Sequence, residues 1–451
     1  MNSQGYVYIL NAKYVFFRSA LDFYLIPANE DDRVNYALLS DIPKTLIPYK
    51  ESVYSNSHIL VDEIYPGEDN SLKLKAKCIF ARINDSPISR FDLIGNDIDS
   101  MFSPAHYYFV KKQRGDYSSS DLLYSCDEIE SYDFSVDSKK IKMTLCYGNI
   151  LTHGLLSDTK LHPTLRIEFD PTNDLSFIYR VFQIITSFIQ QITRCKCISF
   201  QKINLVSCID NSYQSVGYMF DDSCLNIKTE GWLSQSSFLE YSTYISSILQ
   251  MIADDGDILS EHLADFNYNI LNYSSPRFQA IFAAFEREYE KSSDKYSQLV
   301  DNENVNRIKE EMVNYLEQFS APDDEVKHFL DNARERIQQL GTQEGQTRKI
   351  INAYNYLMDC FKNSHIIYSN PILKISDIAR KTAALRGEIT HYEPGKELSF
   401  PEKELVQFMD ILQMAMFLDR ANIPHSDIEK ILGPIFHCNY LYLDEKRNLK
   451  T

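Results

Sequence analysis

Apolar and polar positions divide this chain of 451 residues into two regions of different period. Over roughly residues 1–170 the apolar residues alternate. Leu72-Lys73-Leu74-Lys75-Ala76-Lys77-Cys78-Ile79-Phe80 and Lys140-Ile141-Lys142-Met143-Thr144-Leu145-Cys146 place every second side chain on one face. That is the pattern of a sheet with one wet side. Tyr6–Leu10, His58–Val61 and Thr164–Phe169 read as further strands. Polar turns such as Asn84-Asp85-Ser86-Pro87 and Gly115–Ser120 separate them. Asp174–Thr193 then repeats at three and four, through Ile178, Val181, Phe182, Ile185, Phe188, Ile189 and Ile192, and predicts a helix lying on the sheet. Cys197–Phe200 and Ile203–Val206 return to strand. The expected form is a sandwich or an open antiparallel barrel.

From about Ser234 the period is helical. Helices are expected at about 236–252, from Pro276 onward, and at 302–319, 323–340, 345–363, 372–388, 402–420 and 426–432. Phe319-Ser320-Ala321-Pro322-Asp323 stops one helix and caps the next. The fold class is therefore α+β. A β-rich domain occupies 1–232, a helical connector 233–274, and an all-α domain 275–451.

Composition narrows the function. The net charge of −17 argues against a general nucleic-acid coat protein. Residues 346–386 reverse that balance locally, with Arg348, Lys349, Lys362, Lys374, Arg380, Lys381 and Arg386 against Asp359 and Asp377. A phosphate-tracking groove has this character, as does a solvated helix face. Nine cysteines without a Cys-x-x-Cys pair point to reduced thiols rather than a zinc knuckle or a disulfide framework. The N-terminus has no basic lead-in and there is no long apolar run, so a soluble cytoplasmic protein away from the membrane is expected. His106, His153 and His162 lack metal-ligand spacing, and no phosphate loop, His-Glu-x-x-His or Gly-x-Ser-x-Gly occurs. No metal and no cofactor is expected.

The chemistry concentrates at Leu385-Arg386-Gly387-Glu388-Ile389-Thr390-His391-Tyr392-Glu393-Pro394. Arg386 is a permanent cation; His391, five residues on, exchanges a proton near neutrality. Together they suit phosphodiester cleavage, with the imidazole moving a proton and the guanidinium holding charge on phosphorus oxygens. The same spacing recurs at Arg420/His425, across Pro424. On a regular helix residues five apart lie about 140° and 7.5 Å apart. Pro394 disfavours helix at Glu393. Either the helix frays near His391 and swings it round, or a second subunit completes the site.

The segment resembles the Arg-x4–6-His signature of HEPN domains and is most similar to the ApeA-like group, where Thr-His-Tyr follows the arginine and a proline often comes next. The resemblance covers about Ser275 to Pro434, and the β-rich N-terminal layout is similar too. Gly387 stands where the family usually carries Asn, Asp or His. The resemblance implies a metal-independent endoribonuclease, dimeric through its helical domain, acting in bacterial anti-phage abortive infection. Arg386 and His391 would be catalytic. Arg380 and Lys381 would track RNA, Glu388 would tune His391, and Thr390 and Tyr392 would orient the imidazole or stack on a base. Single-stranded RNA loops, transfer RNA among them, are the implied substrate, with the N-terminal domain sensing a phage-derived trigger. A catalytically silent HEPN dimer serving as an interaction or sensor module is the alternative.

Overall fold

The computed structural model describes residues 2–29, 34, 36–42, 45–51, 57–102, 127–149, 161–225, 241–256, 260–266, 269–292, 303–319, 323–338, 347, 350–354, 375–391 and 395–436. The chain forms two compact units, one of residues 1–258 with 265–267 and one of 259–264 with 268–451. The first is β-rich and the second helical, which gives the α+β class.

The first unit begins with six antiparallel strands: β1 (Asn2–Ile9), β2 (Ala12–Ser19), β3 (Asp22–Pro27), β4 (Leu46–Glu51), β5 (Ser57–Pro66) and β6 (Leu72–Arg82). Their order is β3-β2-β1-β4-β5-β6, and β3 also pairs with β6, so the ring closes. The barrel is therefore closed, where the sequence had left open a sandwich or an open barrel. Closure uses only the first part of β6, Leu72–Lys75 against Leu25–Asp22. Inward positions pack a dry core in which Phe16, Phe23 and Tyr49 meet edge to face at 5.2–6.0 Å.

The rest of β6 carries the sheet onward. Cys78–Arg82 pair with β12 (Ser212–Asp221), and the order continues through β11 (Lys202–Ile209), β7 (Ile88–Ile94), β10 (Leu161–Thr172), β9 (Lys139–Asn149) and β8 (Asp127–Val136). Gly217 of β12 lies against the carbonyl of Ala81, where a β-carbon would collide. A short helix, α1 (Asn96–Met101), follows β7. Helix α2 (Leu175–Thr193) lies on this continuation of the sheet as its periodicity predicts, and all seven ridge residues are buried. Asp174 caps it by accepting from the Phe177 amide at 3.0 Å. Phe91 bridges sheet and helix, 6.1 Å from Phe169 and 6.2 Å from Phe182.

Two expectations need correction. Cys197–Phe200 is not a strand. Ile198 and Phe200 are buried, but the backbone amides find separate partners: Asp265 O for Cys197, Asp97 Oδ2 for Ser199 and Ser223 O for Phe200. Apolar alternation here reports burial without a ladder. The expected connector, 233–274, is also divided. Its helix α3 (Ile245–Asp255) belongs to the first unit. There the edge strand β8 donates amides to it, Asp133 N to Ser246 Oγ at 3.1 Å and Ser135 N to Gln250 Oε1 at 2.8 Å. These bonds cover an edge that would otherwise recruit another strand.

The second unit contains α4 (Ser275–Lys291), α5 (Glu303–Glu317), α6 (Asp324–Gln338), α7 (Ile375–His391), α8 (Phe400–Arg420) and α9 (His425–Ile435). Helix α8 is its centre: every residue from Leu405 to Leu418 is buried, and α4, α7 and α9 pack around it. A helix buried on all sides cannot be amphipathic, and Asp410 within it is neutralised by a partner. Arg277 of α4 donates to Asp410 Oδ2 at 3.1 Å, and the Tyr273 hydroxyl donates to the same oxygen at 3.2 Å. Arg277 also donates to the carbonyls of His262, Asn269, Ile270 and Asn272, which ties the chain before α4 to the bundle. Helices α5 and α6 pack on each other. Most of the helix expected at 345–363 lies outside the described residues.

Candidate functional site

Helix α7 runs unbroken to His391, three residues beyond the expected end. The proline effect acts on the residue directly before it, here Glu393, and leaves His391 free to be helical. Regular helix geometry therefore sets Arg386 and His391 about 140° apart around one axis. Ile378, Ala379, Thr382, Leu385 and Ile389 form the buried face. Arg386 stands at its rim, and His391 is exposed on the far side.

Arg386 is held from two directions. Its Nη2 lies 3.3 Å from the carboxylate of Glu286 on α4, and its guanidinium is 4.9 Å from the Phe282 ring centroid. Phe282 and Glu286 are four apart on α4 and so share a face. Both side chains of the ion pair remain about one-third exposed, 30 % for Arg386 and 33 % for Glu286. The cation is positioned and still reachable from solvent.

Glu388 bonds to a lysine. Its carboxylate accepts from Lys396 Nζ at 2.7 Å, and the same ammonium donates to Glu402 Oε1 at 2.7 Å. Hydrogen bonds to the two carboxylates raise the Lys396 pKa. Burial pushes Glu402 up, but bonds from Lys396 and Ser399 outweigh it and leave the carboxyl below its usual range. Glu402 Oε2 also accepts from the Ser399 amide and hydroxyl, closing the N-terminal turn of α8. The clamp thus joins the end of α7 to the start of α8.

Arg380, Lys381 and Thr390 are exposed on α7; Tyr392 lies outside the described residues, as do Lys362 and Lys374 of the expected basic strip. Arg380, Ala384, Gly387 and His391 recur at the spacing of one outer helix face. A β-carbon at Gly387 would meet nothing within 4 Å. The second Arg-x4-His pair is structural: Arg420 donates to both oxygens of Glu288, at 2.8 and 3.2 Å, and His425 Nε2 is 3.8 Å from Asp419. His106 and His153 lie outside the described residues, while His162 Nδ1 is 3.7 Å from Asp99. Among the described residues no group of three or more His, Cys, Asp or Glu side chains is placed to hold a metal ion, and no helix is long and apolar enough to cross a membrane.

Sequence reasoning missed Glu286, Phe282 and Lys396. The first two lie about 100 residues before Arg386, and only their four-residue spacing on α4 marks them as a pair. Comparison with protein-family models, curated proteins and solved structures returns no match to this chain.

Proposed function

We propose that the chain is a metal-independent endoribonuclease of the HEPN type, working as a dimer through its helical unit. The observation that carries this reading is the pairing of Arg386 and His391 in the last two turns of one continuous helix, with the arginine pre-oriented and the histidine exposed. One imidazole takes the proton of a ribose 2′-hydroxyl. The 2′-oxygen attacks phosphorus, the 5′-oxygen departs with a proton from a second imidazole, and a 2′,3′-cyclic phosphate remains. Arg386 holds the charge on the non-bridging oxygens. Because the two side chains point to different sides of α7, one protomer does not converge them on one phosphate. A two-fold axis beside α7 that brings the two copies of Arg386 and His391 to one cleft completes the site. The substrate is single-stranded RNA, since an unpaired backbone is free for in-line attack. Transfer RNA loops are the first candidates, and anti-phage abortive infection is the setting the sequence resemblance supplies.

A second reading has its own observation. Arg386 is already occupied by Glu286 and Phe282, which is what a structural arginine in a catalytically silent interaction module looks like. The test is cleavage of single-stranded RNA in EDTA by the wild type, Arg386→Ala and His391→Ala. Cyclic-phosphate ends that require both residues support the nuclease; intact RNA with an unchanged dimer supports the silent module.

A further inference from the structure

The outer wall of the closed barrel is not an ordinary wet sheet face. Tyr6, Tyr8, Phe17, Tyr24, Ile26 and Tyr65 all point outward from it, each between 48 % and 54 % exposed. Isolated exposed rings on strands need no explanation. These are registered with one another. Gln4 pairs with Phe17, Phe17 with Tyr24, Tyr24 with Lys73 and Lys73 with Tyr65, a single row crossing β1, β2, β3, β6 and β5. The next row runs Lys50, Tyr6, Val15, Ile26, and the one beyond it pairs Tyr8 with Lys13. In the closed ring β1, β2 and β3 are consecutive, so Tyr6, Tyr8, Phe17, Tyr24 and Ile26 share one side with Lys73 of the adjoining β6 at its margin, while Tyr65 of β5 lies three strands from Phe17, across the barrel.

Lysines are interleaved with the rings. Lys13 Nζ is 4.2 Å from the Tyr6 ring centroid and Lys73 Nζ 5.9 Å from that of Tyr24. Contacts of this kind at an exposed site are weak, and a phosphate can draw the ammonium away. Asp22 and Glu63 both pair in register with Lys75, in the row on the other side of Phe17 and Tyr24. A protein of net charge −17 thus presents Lys13 and Lys73 among the rings of β1, β2 and β3.

We propose that the β1-β2-β3 side of the barrel binds single-stranded nucleic acid, its bases stacked on Tyr6, Phe17 and Tyr24 and its phosphates met by Lys13 and Lys73. Rings alone would also suit sugars or an apolar protein surface. The lysines between them select a polyanion, and the flat, registered rings select unpaired bases over a duplex. The inference rests on the barrel alone and does not depend on the ribonuclease reading.

The test uses the full-length protein and a fluorescent oligodeoxythymidine of about 12 nucleotides, within the span such surfaces occupy. Lacking a 2′-hydroxyl, this probe cannot undergo the proposed cleavage, so binding is read separately from catalysis. Anisotropy at low salt should show binding that weakens as salt rises and is poorly competed by duplex DNA. Phe17→Ala with Tyr24→Ala should weaken it at least about tenfold, and Lys73→Glu with Lys13→Glu should reduce the salt dependence. These side chains project outward, and an unchanged circular dichroism spectrum verifies each fold. No binding at low salt would overturn the proposal. So would binding that survives the ring and lysine changes but is lost in Arg386→Ala, or a concentration-dependent self-association that the ring changes abolish without any oligonucleotide effect.

Discussion

Arg386 Nη2 lies 3.3 Å from both carboxylate oxygens of Glu286, and the two residues join α7 to α4. A phosphate reaching Arg386 must share the guanidinium with this carboxylate or displace it. An exposed pair of this kind contributes about 0.2–1 kcal/mol to stability. Glu286→Gln should therefore cost little in urea denaturation while raising RNA cleavage that still depends on Arg386. A fall in cleavage to the level of Arg386→Ala would show instead that Glu286 takes part in the chemistry.

Gly387 departs from the pattern of the family that the segment resembles, and a β-carbon there would meet nothing within 4 Å. An alanine there should stabilise the helical unit by up to about 1 kcal/mol, since glycine is the poorer helix former and nothing obstructs the new methyl. Gly387→Asn supplies the amide that the family carries at this position and should raise cleavage above wild type. Thermal unfolding and initial rates measure the two effects separately.

The Lys396 clamp makes a pH prediction. Glu402 is held below its usual range, so its contribution is fully present at neutral pH and is lost as pH falls through the acidic carboxylate range. Lys396 is held above its usual range, so its contribution is present at neutral pH and is lost as pH rises beyond the ordinary lysine range. Lys396→Met should flatten both ends of the stability profile followed by circular dichroism. A profile identical to wild type would refute the coupling of α7 to α8 through this lysine.

Asp410 should be the costliest single change in the bundle. Its side chain is fully buried and Arg277 is 9 % exposed, so Asp410→Ala leaves a buried guanidinium without its counter-ion. The expected loss is about 3–5 kcal/mol. Arg277→Met with Asp410→Leu should recover much of it. Equilibrium denaturation of both variants decides.

The helices were legible because their apolar spacing is local. α2 and α8 follow directly from positions such as Ile178, Phe182, Leu405 and Met409. The barrel was not, for two physical reasons. Hairpins of the β-rich unit, in the barrel and beyond it, turn on Leu10-Asn11, Asp137-Ser138 and Asp210-Asn211, each with positive φ at both residues. Turns of this type normally advertise themselves with glycine, and these do not. Closure also depends on β3 meeting β6, some 50 residues apart, which no local pattern encodes. At the candidate site, Arg386 and His391 were found from spacing and resemblance. The contacts of Glu286, Phe282 and Lys396 follow from tertiary packing.

The most direct test of the central claim is cleavage of single-stranded RNA by the purified protein in EDTA, comparing wild type with His391→Ala. Wild type should produce 2′,3′-cyclic phosphate ends, and the variant should cleave about 100-fold or more slowly while keeping its fold. RNA left intact by the wild type, or cut equally by both, would contradict the account.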